Sequence, residues 1–136
     1  MDETLLDTDV LSEVIKRHDP TVKHNAAQYL QAHGQFAFSA LTRFEVERGY
    51  KEKNAAQQLA RFATFCNHSL VLAITDPILH RAGDLWAFAR QHGHPHGDAD
   101  VIIAATALEL QRVLVTGNSQ HFSWVAGLRL TNWRNP

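Results

Sequence analysis

The sequence predicts an α/β/α sandwich built around a central, mainly parallel sheet of four or five strands. Two observations carry that reading. Short apolar runs alternate with longer helical stretches along the chain, and strands separated by helices pair in parallel with both faces covered. The 136 residues are 45% apolar, without repeats or low-complexity segments. One domain over residues 1–136, with one core, is therefore expected.

Thr4 to Leu6 is the first strand candidate. It runs into Asp7-Thr8-Asp9, residue types that cap helices, and a helical stretch follows to about Lys16. Asp19-Pro20 is a cap followed by proline at the first helical position, and that helix ends at Gly34. Phe36 to Ser39 reads as the second strand, and a long helical region, broken or continuous, fills Leu41 to Asn67. Leu70 to Ile74 is a third strand. Asp76-Pro77 opens a helix that ends near Gly93. Val101 to Gln111 is a nearly all-apolar helix, hence buried on most sides. Val113 to Val115 is the fourth strand, and Leu128 to Leu130 a candidate fifth.

Thirteen basic and 14 acidic residues leave a formal net charge of −1. That excludes a protein coating nucleic acid by bulk charge; a nucleic-acid site here is a local basic patch or works through bound metal. The longest apolar run, Val101 to Leu108, is too short to span a membrane. The acidic start MDETLLDTDVLSE lacks a signal peptide's regions, and the single Cys66 has no internal disulfide partner. Together these favour the cytoplasm. Cys66, in the stretch FATFC, reads as a buried core thiol.

Ligands of open parallel sheets sit beyond the carboxyl ends of the strands. Asp7 follows the first strand, and Asn118 comes just after the fourth. Glu45 lies in the first or second turn of the helix after the second strand, and Asp100 at the start of the buried helix. All four are placed to meet at one edge. Three carboxylates there repel one another unless protonated or neutralised by a cation. Hard oxygen ligands without cysteine suit Mg²⁺ or Mn²⁺ better than Zn²⁺. Such a metal polarises a phosphoryl oxygen, lowers the pKa of bound water and screens a polyanionic substrate. Taken singly, each acid also has an ordinary reading: Asp7 and Asp100 as helix caps, Glu45 as a solvated helix residue. Spacing alone does not decide between the two.

The local strings do. LLDTDVLSE is a strand running into Asp7. FSALTRFEVERGY is a strand, then Thr42, then Glu45 three residues on. GDADVIIAATALEL places Asp100 before an Ile-Ala-Ala-rich helix. VLVTGNSQHF and WVAGLRLTNW give a strand, a polar turn, a phenylalanine and a closing strand. In this order, over nearly the whole chain, the sequence resembles the PIN-domain ribonucleases, and within them the VapC-like toxins of bacterial toxin–antitoxin pairs. The resemblance implies that Asp7, Glu45 and Asp100 are the metal-binding and catalytic acids of a Mg²⁺- or Mn²⁺-dependent endoribonuclease leaving a 5′-phosphate and a 3′-hydroxyl. It also implies a homodimer and a small antitoxin protein that blocks the acidic pocket. One departure stands out. Some family members carry a fourth Asp in the turn after the last strand, where Thr116-Gly117-Asn118-Ser119 offers Asn118. An amide accepts through its oxygen but adds no charge, so the number of metal ions, one or two, stays open. Asp98 is the spare carboxylate, or a plain cap; Asp9 reads as a cap just after the strand.

Arg43, Arg48 and Lys51 flank Glu45 on its helix, as phosphate contacts or, for Arg48, an intrahelical ion pair with Glu45. Thr8 and Thr116 are expected to hold the carboxylates or a water by hydrogen bonds. His92, His94 and His96 read as a solvated loop, because Gly93 and Pro95 interrupt them and no cysteine joins them. Trp86 and Phe88 read as core or interface, and Trp124 and Trp133 as packing. A signalling receiver domain also has acids at strand ends, but it needs a lysine after its last main strand. All four lysines, Lys16, Lys23, Lys51 and Lys53, lie in the first half. A catalytically silent binding module of the same fold is the second rival, and a nuclease acting on DNA a third. Transfer, ribosomal and messenger RNA all remain open as substrates.

Overall fold

The computed structural model describes residues 1–135. Its five short strands are β1 (Thr4–Leu6), β2 (Ala37–Ser39), β3 (Leu70–Leu72), β4 (Val113–Val115) and β5 (Leu130–Thr131). Every ladder is parallel, with β4 between β1 and β5, and β2 beside β3. β1 and β2 lie side by side, so the layer runs β3-β2-β1-β4-β5, hydrogen-bonded as groups of three and two. The predicted parallel sheet is present, and the fifth strand lies two residues later than its sequence candidate.

Alternation along the strands sends neighbours to opposite faces. Leu6 and Val115 face a core built with Val10, Leu11 and Val14 of α1 (Thr8–Lys16), Val22 and Tyr29 of α2 (Pro20–His33), Val46 of α3 (Ala40–Glu52) and Phe62 of α4 (Ala56–Asn67). Leu5 and Leu114 face Ile103, Ala104 and Ala107 of α6 (Asp98–Glu109) and Phe122 of α7 (Ser119–Phe122). α5 (Asp76–Gln91) packs along α6 through Ile78 and Ala82. These two helical layers make the sandwich. No helix among the described residues is long and apolar enough to cross a membrane.

Local chemistry sets the helix ends. The Asp19 carboxylate accepts from the backbone of Thr21 and Val22, with Pro20 opening α2. Gly34 ends it at φ +83°, a conformation glycine adopts without a Cβ penalty. The long helical region is broken: α3 stops at Glu52 and α4 starts at Ala56. α6 begins at Asp98, three residues before its apolar run.

Three readings change. Cys66 is half-buried at the edge of the first core, not fully inside, although burial still pushes its thiol pKa up. Trp86 and Phe88 are 40% and 46% exposed, so the core reading fails for both. Trp133 does pack in the core, where its ring tilts against Tyr29 and Phe36.

The Tyr29 hydroxyl accepts the backbone N–H of Thr4 at 3.1 Å, and both residues are buried. Tyr29→Phe leaves that N–H without a partner at the start of β1. A loss of about 1–3 kcal/mol is expected in urea unfolding; a loss near zero would show that water replaces the hydroxyl.

Candidate active site

The register of β1 on β4 builds the site. Pairing Leu6 with Val115 brings the next residues, Asp7 and Thr116, together at the carboxyl edge of the sheet, and Asp7 N donates to Val115 O at 2.9 Å. Thr116 Oγ1 donates to Asp7 Oδ2 at 2.9 Å. The other oxygen, Oδ1, caps α1 by accepting from Thr8 N at 2.9 Å. Thr8 Oγ1 in turn donates to Glu45 Oε1 at 2.9 Å. One chain of hydrogen bonds thus runs Glu45–Thr8–Asp7–Thr116 across three elements. Asn118 extends it, its backbone N donating to Thr116 Oγ1 at 3.2 Å, while its residue is exposed.

Glu45 reaches this edge because Ser39, the last residue of β2, caps α3 through Leu41 N. The helix then carries buried Thr42 and, three residues on, Glu45 on the same face. Asp100 sits in the first turn of α6, near enough to Asp7 for their charges to interact. Burial pushes the Asp7 pKa above its ordinary value. The Thr8 and Thr116 hydrogen bonds pull it back down, and the charges of Asp9 and Asp100 push it up again.

The remaining predicted residues divide. Arg48 pairs with Glu45 at 3.7 Å and lies over the exposed Phe44 ring. Arg43 turns to Glu47 at 3.9 Å, and Lys51 is exposed at the end of α3. Asp98 is exposed at the first residue of α6. Asp9 does more than cap: besides Val10 N, it accepts Gly117 N at 3.1 Å and lies 3.8 Å from Arg134. A Cβ at Gly117 would run into that carboxylate and the Arg134 guanidinium, so a side chain there would have to push both of these flexible groups aside.

Two histidines change the picture. His121, on α7, lies 2.7 Å from Asp100 Oδ2. His96 is not a solvated loop residue: it stacks on Trp124 at 4.6 Å and meets His121 edge-on at 4.8 Å. Burial lowers its pKa, His121 adding to the effect, Asp100 opposing it and His94 adding again. His92 and His94 remain exposed as expected, His92 lying on the preceding turn of its own helix, stacked on Phe88 at 4.0 Å with Nδ1 2.8 Å from Phe88 O. Among the described residues, His96, Asp100 and His121 are the one group of three whose ligand atoms all lie within 4.8 Å of one another. Asp7, Glu45 and Asp100 share an edge without drawing that close. The only sequence signal for His121 was its place in the string NSQHF.

A family model of the PIN domain matches residues 4–128. The chain belongs to the PIN-domain family. Ribonuclease VapC2 of Rickettsia felis is 26% identical over 130 residues, 95% of this chain and 96% of that protein. Ribonuclease VapC19 of Mycobacterium tuberculosis is 30% identical over 121 residues, 87% and 90% of the two chains. The crystal structure of DNA-bound VapBC from Salmonella typhimurium matches at a TM-score of 0.85 and 25% identity, over 98% of this chain and 99% of that one.

The raised Asp7 pKa has a sign that can be tested. Folding favours the protonated form, so ionised Asp7 opposes folding at pH 7, and this penalty fades as pH falls through the raised pKa. Asp7→Asn is expected to melt above wild type at pH 7 in EDTA, an advantage that disappears in the ordinary carboxylate range. Lower melting at pH 7 would show that the lost hydrogen bonds outweigh burial.

Proposed function

We propose that this PIN-domain protein is a metal-dependent endoribonuclease, the toxin of a toxin–antitoxin pair, acting in the cytoplasm on RNA phosphodiesters. The observation that carries it is the hydrogen-bonded chain Glu45–Thr8–Asp7–Thr116 at the carboxyl edge of a PIN sheet, with Asp100 beside it. The names of the VapC ribonucleases and of the VapBC complex support the same class.

The residues fit a hard divalent cation. Asp7 is a partly buried carboxylate with no basic side chain within ion-pair distance among the described residues, so its charge calls for a cation. The donors are carboxylate oxygens with a neutral amide nearby, which suits Mg²⁺ or Mn²⁺. Asp7, Glu45 and Asp100 would hold the ion, which would polarise a phosphoryl oxygen and offset the charge developing on phosphate. Thr8 and Thr116 fix the carboxylates so that they do not rotate away. Arg48, with Arg43 nearer the start of α3 and Lys51 nearer its end, offers positive charge at the rim for flanking phosphates.

The antitoxin has a supporting surface of its own. An apolar groove between α1, α2 and α4 is lined by Val14, Ile15, Leu30, Phe36 and Phe65, with Arg17, Lys23 and Arg61 around it. That chemistry suits an apolar segment bearing acids. Exposed Leu79 and Trp86 on α5 suit a homodimer seam.

The expected outcome is RNA cleavage with Mn²⁺ or Mg²⁺ that stops in EDTA and is lost in folded Asp7→Asn and Asp100→Asn. Asn118→Ala should cost less than either, and Asn118→Asp should tighten metal binding in calorimetry, because it adds a charge. The second reading, a silent binding module, rests on the neutral Asn118. Wild type that binds RNA but cuts none with any metal, while Asn118→Asp does cut, would establish it.

A further inference from the structure

We propose that His96, Asp100 and His121 form a second cation site, for a borderline transition ion of which Zn²⁺ is representative, sharing Asp100 with the carboxylate cluster. Three elements converge to make it. Asp100 stands in the first turn of α6, His121 on α7, and His96 on the segment between α5 and α6. One ring nitrogen of each histidine and one oxygen of Asp100 all lie within 4.8 Å of one another. Donors on a tetrahedral zinc lie about 3.3 Å apart, from bonds of about 2.0–2.1 Å. His121 Nε2 and Asp100 Oδ2 are already at 2.7 Å, so the approach still needed falls mainly on His96.

Two further observations favour a ligand over an accidental cluster. His96 Nδ1 is shielded from solvent and has no hydrogen-bond partner among the described residues, a costly state for an imidazole nitrogen. The ring is also held in place: it stacks on Trp124, whose Nε1 donates to His121 O at 3.0 Å. Trp124 stacks in turn on Phe88 at 6.3 Å. The indole therefore positions the His96 ring and ties down the backbone of His121, whose own ring is held by Asp100, and a site whose ligands are positioned before binding loses less on ordering them.

The donor set decides the ion. Two imidazoles and a carboxylate suit zinc and its neighbours, whereas magnesium prefers oxygen. The two sites therefore select different metals although they have Asp100 in common. The consequence for activity rests on the nuclease reading above: zinc at this site draws on Asp100, so it should inhibit Mn²⁺-supported cleavage.

Calorimetric titration of the full chain with ZnCl₂ tests the site directly. Wild type should show one strong site. His96→Ala and His121→Ala should each weaken it by more than the ~10–100-fold that loss of an outer partner costs, and the exposed His94→Ala should leave it unchanged. Co²⁺ in place of Zn²⁺ should give a visible d–d absorption that the same two variants lose. Circular dichroism checks folding, and His121→Gln, which keeps a donor toward Asp100, serves if the alanine variant unfolds. The proposal is overturned if wild type shows no strong site, or if both ligand variants bind like wild type. It is equally overturned if His92→Ala and His94→Ala abolish binding while His121→Ala does not, since the loop alone would then be the chelator. In the RNA assay, Zn²⁺ should inhibit wild type and spare His96→Ala; equal inhibition of both removes the regulatory consequence. Zinc bound as described by a protein that cuts no RNA would leave this site standing and defeat the nuclease reading.

Discussion

The carboxylate of Asp7 is the constraint around which the candidate site is arranged. Its backbone closes the β1–β4 ladder at Val115 O, and its two oxygens join Thr8 at the start of α1 to Thr116 at the end of β4. Through Thr8 the same residue fixes Glu45 on α3. A helix cap, a strand register and a candidate site carboxylate therefore share one side chain. A one-residue slip of β1 on β4 would part Asp7 from Thr116 and turn Leu5 and Leu6 to the wrong cores.

That arrangement has an electrostatic consequence. Among the described residues, the basic side chains nearest the edge stop short of Asp7: Arg134 lies between Asp9 and Glu13, and Arg48 pairs with Glu45. Asp7 is left with neutral donors only, and its burial works against its own ionisation. Hydrogen bonds to hydroxyl and amide groups orient a carboxylate without cancelling its charge, so the edge keeps its negative potential. Had Arg134 reached Asp7 instead of Asp9, the same fold would have had a neutralised edge.

The parts of the fold legible in the sequence are those set by local chemistry. Asp19-Pro20 and Gly34 bracket α2 because a cap, a fixed φ and a positive φ are properties of single residues. The acids at strand ends were legible because the strand-to-helix junctions were. The start of α6 was misjudged because apolar periodicity begins at Val101, whereas the helix begins with the polar turn Asp98-Ala99-Asp100. His96 and His121 escaped for a different reason. Gly93 and Pro95 mark a loop correctly, but where the loop docks depends on Trp124, 28 residues from His96 in sequence and touching only in three dimensions. Of the core-or-interface reading of Trp86 and Phe88, the core half fails, because the α5 face packed on α6 is made by Ile78 and Ala82.

Asp100 is the residue on which the two chemistries meet. Seen from Asp7, it is a second charge that raises the cost of an uncompensated edge. Seen from His121, it is a hydrogen-bonded carboxylate held at 2.7 Å in an aromatic corner. A carboxylate has two oxygens, so both relations coexist in one rotamer, but its charge is shared between them. A cation drawn to the histidines reduces the negative potential felt at Asp7, and one drawn to Asp7 and Glu45 weakens the pull on the histidines. Coupling of this kind is reciprocal by thermodynamic necessity. It requires no moving part: a single side chain between an oxygen-rich set and an imidazole-rich set is enough to make the occupancy of each depend on the other.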